Sequence, residues 1–483
     1  MTEMSVDPHL FVILGSTSNL AYRKLLPALF HLLVERNLKD RCQVLGVATK
    51  DIGDEGYRSS VQKALEEAGF SHEEIEQWCN SCVHYQVIGK SEESYSALAA
   101  RIDDLEKELS FPGNRAFYLA LPPSIFPTAI TGLGESGLNK GKGWVRLVIE
   151  KPFGYDFASA QELNGLVHRY FDENQIFRID HYLGKETVQN LLVFRFANTI
   201  FESLWNRDRI ESVQITMAES LGIEERASYY EQAGALRDIV QNHLTQLLTL
   251  IAMEVPAVFK PEYIRDEKVK VLHSIPGILP EDVVFGQYEK GNIEGNEVPG
   301  YREEPGVASD SSTETFVALK LEIDNWRWQG VPFYLRTGKR LPQRITQIAV
   351  NFRRPPVCIF QPYSSCQIHS NRLLITLQPD EGFHLFFDVK EPEEPLKLKT
   401  ERLHFHYEQA FGKLPDAYET LIFDILKGDQ TLFVRSDEVE AAWGLFTPVL
   451  EKNIPAHPYK AGTWGPEKAD QLLTREGKQW VSQ

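Results

Sequence analysis

The first third of the chain repeats one pattern: a short apolar run rich in β-branched residues, a helical stretch, then another apolar run. The runs are Leu10–Leu14, Val44–Ala48, Val83–Val87, Ala116–Ala120, Trp144–Ile149 and Gln175–Ile179, with helical segments such as Ser91–Leu109 between them. A strand that is apolar along its whole length is buried on both faces, and intervening helices supply the crossovers that parallel strands need. The pattern therefore predicts a doubly wound parallel sheet, an α/β domain over residues 1–180. After about residue 200 the texture changes. Glu211–Ala218 alternates like a strand with one wet face, and residues 228–252 read as one long helix. Thr315–Leu321, Ile345–Phe352, Leu373–Leu377 and Phe383–Val389 follow without helices regularly spaced between them. That is the signature of an antiparallel sheet, so residues 181–483 form an α+β domain with a large, mostly antiparallel sheet and helices. Two domains also suit the size, because 483 residues that are 42% apolar exceed what one core holds.

Charge narrows the partners. Lys and Arg total 51 against 68 Asp and Glu, a net charge of -17. Such a field disfavours binding to nucleic acid or to an anionic membrane. An anionic substrate then needs a local group of cations, which makes each such group informative. The N-terminus lacks the basic and apolar regions of a signal peptide, and no apolar run approaches the ~18–20 residues that span a bilayer. The expected compartment is the cytoplasm. Five cysteines do not make a disulfide framework, and Cys79-Asn-Ser-Cys82, with no second ligand pair after it, reads as two structural thiols.

Three strand ends carry candidate chemistry. Leu10–Leu14, then Gly15-Ser-Thr-Ser-Asn19 and a helix, is the Rossmann-like arrangement that sets a pyrophosphate on a helix N-terminus. A tight turn with Asn19 as N-cap would look the same. Arg178-Ile-Asp-His-Tyr-Leu-Gly-Lys-Glu186 follows the sixth strand and opens a helix. It offers Asp180, His181, Tyr182 and Lys185 outside the carboxyl end of the sheet, where open α/β sheets bind ligands. A cation, an imidazole and a phenol this close together suit a phosphate. Glu150-Lys-Pro-Phe-Gly154 delivers Lys151 to the same edge. In the helical stretch, Gly234-Ala-Leu-Arg-Asp-Ile-Val-Gln-Asn-His243 puts His243 at the border of an apolar face. There it is either a core residue or a general base, with Asp180 or Asp238 available to fix its tautomer.

Together these residues resemble the glucose-6-phosphate dehydrogenase family. The resemblance runs through Arg178–Glu186, E-K-P-F-G (150–154), Arg195–Trp205, R-D-I-V-Q-N-H (237–243), Leu335–Lys339, Gln378–Glu381 and Phe433–Asp437, across nearly the whole chain. It implies that His243 removes the proton of the C1 hydroxyl and that Asp180 holds its imidazole. His181, Tyr182 and Lys185 bind the substrate phosphate. Lys151 lies between sugar and nicotinamide. Glu219, Asp238 and Lys339 hold sugar hydroxyls, with Arg344 and Gln378 as further substrate contacts. The implied partner is glucose 6-phosphate and the cofactor NADP or NAD. No metal takes part, and the chain assembles as a homodimer or homotetramer. Two alternatives stay open: the same chemistry on another hexose 6-phosphate, and a non-catalytic sugar-phosphate-binding homologue.

The cofactor segments depart from the family's pattern. Its dinucleotide loop typically reads G-x-x-G-D-L-A, whereas this chain has Gly15-Ser-Thr-Ser-Asn-Leu-Ala21. Ser18 and Asn19 replace a glycine and an aspartate, while Gly15, Thr17 and Leu20 remain as cofactor contacts. Where the family often places an arginine against the 2′-phosphate of NADP, this chain has Thr49, followed by Lys50. The expectation is that NAD serves at least comparably to NADP. A second, structural NADP site is not expected, because Ile345 and Thr376 stand where cations would be needed.

Overall fold

A computed structural model describes residues 6–89, 92–359, 368–392 and 397–482. The chain divides into two compact units. The first comprises Met1–Lys185, Val258–Arg265 and Pro415–Glu440, so two later segments join the stretch that strand periodicity alone delimits. The second comprises Glu186–Ala257, Asp266–Leu414 and Ala441–Gln483.

The first unit is built on β1 (His9–Leu14), β2 (Cys42–Ala48), β3 (Val83–Val87), β4 (Arg115–Leu119), β5 (Val145–Ile149) and β6 (Ile176–Ile179). All six expected strands are present, in the order β3-β2-β1-β4-β5-β6, and all pair in parallel. Every residue of β1, β2, β4 and β6 is buried, which is why these strands read as mainly apolar runs. Phe433–Val434 adds a two-residue antiparallel strand beside β6. The order reverses between β1 and β4, and that switch point is where a doubly wound sheet opens a ligand crevice. The expected helix after β3 covers Glu92–Leu109, and Ser91 lies outside the described residues.

Cys82 is the last residue of the helix His72–Cys82. Cys79 and Cys82 are buried free thiols, and burial pushes Cys79 up to about 12. A thiol held neutral is a poor nucleophile or ligand, as the structural reading expects. Cys358 is disulfide-bonded.

The second unit centres on a nine-stranded sheet. Its strands are β7 (Ile210–Ala218), β8 (Val283–Glu289), β11 (Phe316–Leu321), β12 (Phe333–Gly338), β13 (Ile345–Phe352), β14 (Arg372–Gln378), β15 (Gly382–Lys390), β16 (Leu398–His406) and a last strand Ala456–Lys460. A ribbon of β9 (Gly291–Ile293) and β10 (Asn296–Val298) stands apart from it. The sheet order is β16-β15-β14-β13-β7-β12-β11-β8, ending on Ala456–Lys460. Within this sheet, among the described residues, only β7 with β12 and β8 with Ala456–Lys460 pair in parallel. The mostly antiparallel expectation therefore holds.

The stretch 228–252 is not one helix. An α-helix covers Ala227–Ala235, a π-helix Leu236–Leu244 and a second α-helix Thr245–Ala252. The break is at Gly234, with φ 61° and ψ 177°. An apolar repeat tuned to 3.6 residues runs through both kinds of helix, so periodicity does not register the change.

Candidate functional site

In the first unit the candidate residues lie at the carboxyl ends of β1, β2, β5 and β6. Gly15 turns the chain after β1 at φ +84°, and a Cβ there would sit 2.3 Å from the Ala120 carbonyl oxygen, so only glycine fits. The amides of Gly15 and Ser16 donate to the Val47 carbonyl at 2.8 and 3.1 Å, tying this loop to β2. Ser18 Oγ accepts from the Ala21 amide at 3.2 Å. Ser18, not Asn19, therefore caps the helix, and accepting leaves its O–H free to donate outward. Thr17 and Asn19 are exposed and Leu20 is half-buried. Thr49 and Lys50 are both exposed just past β2, with the Lys50 carbonyl held by the Tyr85 hydroxyl. A glycine-only turn at the switch point, opening a helix and flanked by exposed hydroxyls, fits a dinucleotide phosphate.

At the next two strand ends, β5 and β6 pair with Ile149 opposite Arg178. Continuing that register sets Lys151 beside Asp180. Asp180 is 2% exposed, and its Oδ1 accepts the Tyr182 amide at 3.0 Å. The turn closes through Leu183 N–H to Asp180 O at 3.0 Å and Lys185 N–H to Tyr182 O at 3.2 Å. The same turn lays Lys185 Nζ 4.9 Å from the Tyr182 ring centroid. His181 and Tyr182 have centroids 5.1 Å apart, and His181 stacks on Tyr418 at 6.4 Å with 7° between planes. His181, Tyr182 and Lys185 are thus gathered by one turn. Arg178, the first residue of the motif, instead points inward, bonding Glu173 at 2.6 Å and Asn164 at 3.0 Å.

Sequence reasoning missed Glu150 and Tyr418. Tyr118 and Tyr418 donate to Glu150 Oε1 at 2.5 and 3.2 Å. Burial raises the Glu150 pKa against the pull of those hydrogen bonds and of the Lys151 charge. This half-buried acid lies directly before Lys151. A signal was present in the sequence, since an acid ending an otherwise apolar strand needs a partner.

In the second unit strand register assembles residues distant in sequence. Ala218 pairs with Gly338 on β12 and with Ile345 on β13. One step further, Glu219 therefore lies between Lys339 and Arg344 in the ladder. Lys339 Nζ makes an ion pair with Glu219, while Arg344 is exposed. Gln378 is opposite Thr346 and donates to its Oγ1 at 2.8 Å. Asp238 is buried and takes the Tyr229 hydroxyl at 3.2 Å. Tyr230 lies 5.5 Å under Lys339 Nζ, and the charges of Asp238 and Glu219 add to burial in raising its pKa. This one buried phenol connects the helix to the strand ends.

His243 is 1% exposed, five residues after Asp238. In an α-helix that spacing splays two side chains apart. In the π-helix Leu236–Leu244, which bonds i to i+5, it brings them onto one face. Glu314 holds the start of this segment and was not foreseen. Its carbonyl accepts the Ala235 amide at 2.9 Å, and its Oε1 accepts the Leu236 amide at 3.1 Å.

Comparison with known proteins follows the same division. Residues 12–190 match the family model for the NAD binding domain of glucose-6-phosphate dehydrogenase, and residues 192–481 match the model for its C-terminal domain. The glucose-6-phosphate 1-dehydrogenase of Aggregatibacter actinomycetemcomitans is 45% identical, with 99% of this chain and 98% of that protein covered. The enzyme of the same name from Rhizobium meliloti is 44% identical, over 98% of each. A solved structure of glucose-6-phosphate dehydrogenase in complex with its substrate glucose-6-phosphate superposes with a TM-score of 0.92. It is 36% identical and covers 99% of this chain and 100% of that one. Glucose-6-phosphate 1-dehydrogenase from Mycobacterium avium gives a TM-score of 0.85 at 35% identity, over 99% of both. With both halves matched in order and relatives aligned end to end, the chain belongs to the glucose-6-phosphate dehydrogenase family.

Proposed function

We propose that this chain oxidises carbon 1 of D-glucose 6-phosphate to 6-phospho-D-glucono-1,5-lactone, the first step of the oxidative pentose phosphate pathway. The observation that carries the reading is the Asp180–Lys185 turn. It gathers an imidazole, a phenol and an ammonium at the mouth of a parallel sheet, within a chain that matches the family over its full length. A bound nicotinamide dinucleotide supplies the hydride acceptor. His243 takes the C1 hydroxyl proton as the hydride leaves the same carbon, so C1–O becomes the lactone carbonyl, and Asp180 serves that base. Lys151 orients the sugar, while Glu219, Asp238 and Lys339, with Arg344 and Gln378, hold its hydroxyls. Initial rates on glucose 6-phosphate, an amino-sugar 6-phosphate and free glucose test the reading. It predicts the highest kcat/KM for glucose 6-phosphate. Faster turnover of the amino sugar, or no turnover at all, would replace it by one of the two alternatives.

His181, Tyr182 and Lys185 grip the phosphate in this reading. Lys185→Ala removes a charge-assisted contact of about 1.5–3 kcal/mol. KM for glucose 6-phosphate should then rise roughly ten- to a hundredfold, while the weak use of unphosphorylated glucose is unchanged. Equal loss on both substrates would make Lys185 a structural residue.

For the cofactor we propose that NAD is used at least comparably to NADP. Discrimination for NADP needs a cation against the 2′-phosphate just past β2. Thr49 offers there one neutral hydrogen bond in place of a bidentate charge pair. Thr49→Arg should shift the ratio of kcat/KM towards NADP. A strong wild-type preference for NADP that survives Lys50→Ala would overturn this assignment.

A further inference from the structure

We propose that His384, His404 and His406, on one face of β15 and β16, form a binding site for a divalent transition-metal ion. The two strands pair antiparallel with His384 opposite His404 and Gly382 opposite His406. Directly opposed residues point to the same side of a sheet, as do residues two apart on one strand. All three imidazoles therefore project from one face. Gly382 puts no side chain between His406 and His384, so the diagonal pair closes to 5.3 Å between ring centroids. His404 and His406 lie 5.4 Å apart, and His384 and His404 6.3 Å.

These centroid separations approach those of rings sharing an ion, and rotation of the side chains is what would bring the ring nitrogens together. A Zn–N bond of about 2.0–2.1 Å sets each ring centroid about 3.2 Å from the metal, and tetrahedral angles then separate the centroids by roughly 5 Å. Two of the three pairs are already near that value. The third is about 1 Å too wide, and His404, which is exposed on the edge strand, can turn to close it.

His384 gives the second indication. It is 6% exposed, and its Nδ1 is buried with no hydrogen-bond partner among the described residues. A buried polar atom left this way costs free energy that a ligand can recover. Three imidazoles with a fourth position left to water match a tetrahedral ion. The strands β14 and β13 separate β15 from β7, so the three histidines stand apart from the Glu219–Lys339 pair at the end of β7.

The test uses the full chain, stripped with chelator and titrated with Zn²⁺ or Co²⁺. Zn²⁺ should raise the thermal midpoint by roughly 2–5 °C, and Co²⁺ should give the intense visible bands of a tetrahedral site. Both responses should vanish in H404A/H406A, which should keep wild-type turnover and, without metal, the wild-type midpoint. As a second variant of similar size, His406→Asn should weaken Zn²⁺ binding at least tenfold. Absence of either response in the wild-type chain, or the same responses in H404A/H406A, would overturn the proposal. The latter outcome would place the ion elsewhere.

Discussion

His243→Ala is expected to lower kcat by at least ~10²-fold, the low end of what a general base contributes, with KM for glucose 6-phosphate little changed. The reason lies in the transition state. Hydride leaves C1 only as negative charge on its oxygen is neutralised by loss of the hydroxyl proton. An acceptor that titrates near neutrality does this best. In the proposed arrangement binding of the sugar phosphate rests on other groups, so an effect confined to kcat separates a base from a substrate contact. The pH profile offers an independent readout. A neutral imidazole is needed, so wild-type kcat/KM should fall as pH drops through the pKa of that base, and the variant should lose this limb. Turnover near wild type in His243→Ala would remove the histidine from the mechanism. A parallel fall in kcat and thermal midpoint would assign it to the core, where its 1% exposure equally permits it to sit.

The parts of this molecule legible in its sequence are those that local chemistry determines. β1 to β6 stand out because burial in the sheet makes them mainly apolar, with only single polar residues such as His84, Gln86, Arg146 and Arg178 inside them. The Asp180–Lys185 turn is legible because its polar residues are adjacent and follow such a strand. What stays hidden is either too short or depends on register. Phe433–Val434 has two residues and no period, yet it extends the first sheet. Lys339 and Arg344 flank Glu219 only through the pairing of β12, β7 and β13, and nothing local to Glu219 announces them. Tyr418 reaches Glu150 across 268 positions of sequence. Ser18 takes the capping role that Asn19 had equal chemical claim to, because the Ala21 amide lies three residues beyond Ser18. The π-helix escapes for a different reason. A glycine in an apolar repeat reads as a small penalty on an α-helix, whereas here it marks a break.

Gly234→Ala should be among the most damaging single-methyl substitutions in the second unit. The residue adopts φ 61° and ψ 177°, a region that essentially only glycine enters, at a cost of about 1–3 kcal/mol for any other residue. Space compounds the strain: an added Cβ would lie 2.2 Å from Glu314 Oε1, so that carboxylate must move. Glu314 is the acceptor for the Leu236 amide at 3.1 Å, and its displacement leaves a buried N–H unpaired at about 1–3 kcal/mol. Strain and lost pairing together come to roughly 2–6 kcal/mol, against a typical net stability of about 5–15 kcal/mol. The easier relaxation is for Leu236–Leu244 to rewind as α-helix, which would turn His243 away from the face it shares with Asp238. Gly234→Ala is therefore expected to lower both the thermal midpoint of the second unit and kcat. Glu314→Gln, which keeps an oxygen acceptor for the Leu236 amide, should be milder in both. A Gly234→Ala chain with wild-type midpoint and turnover would show that the break is not needed to place these two side chains.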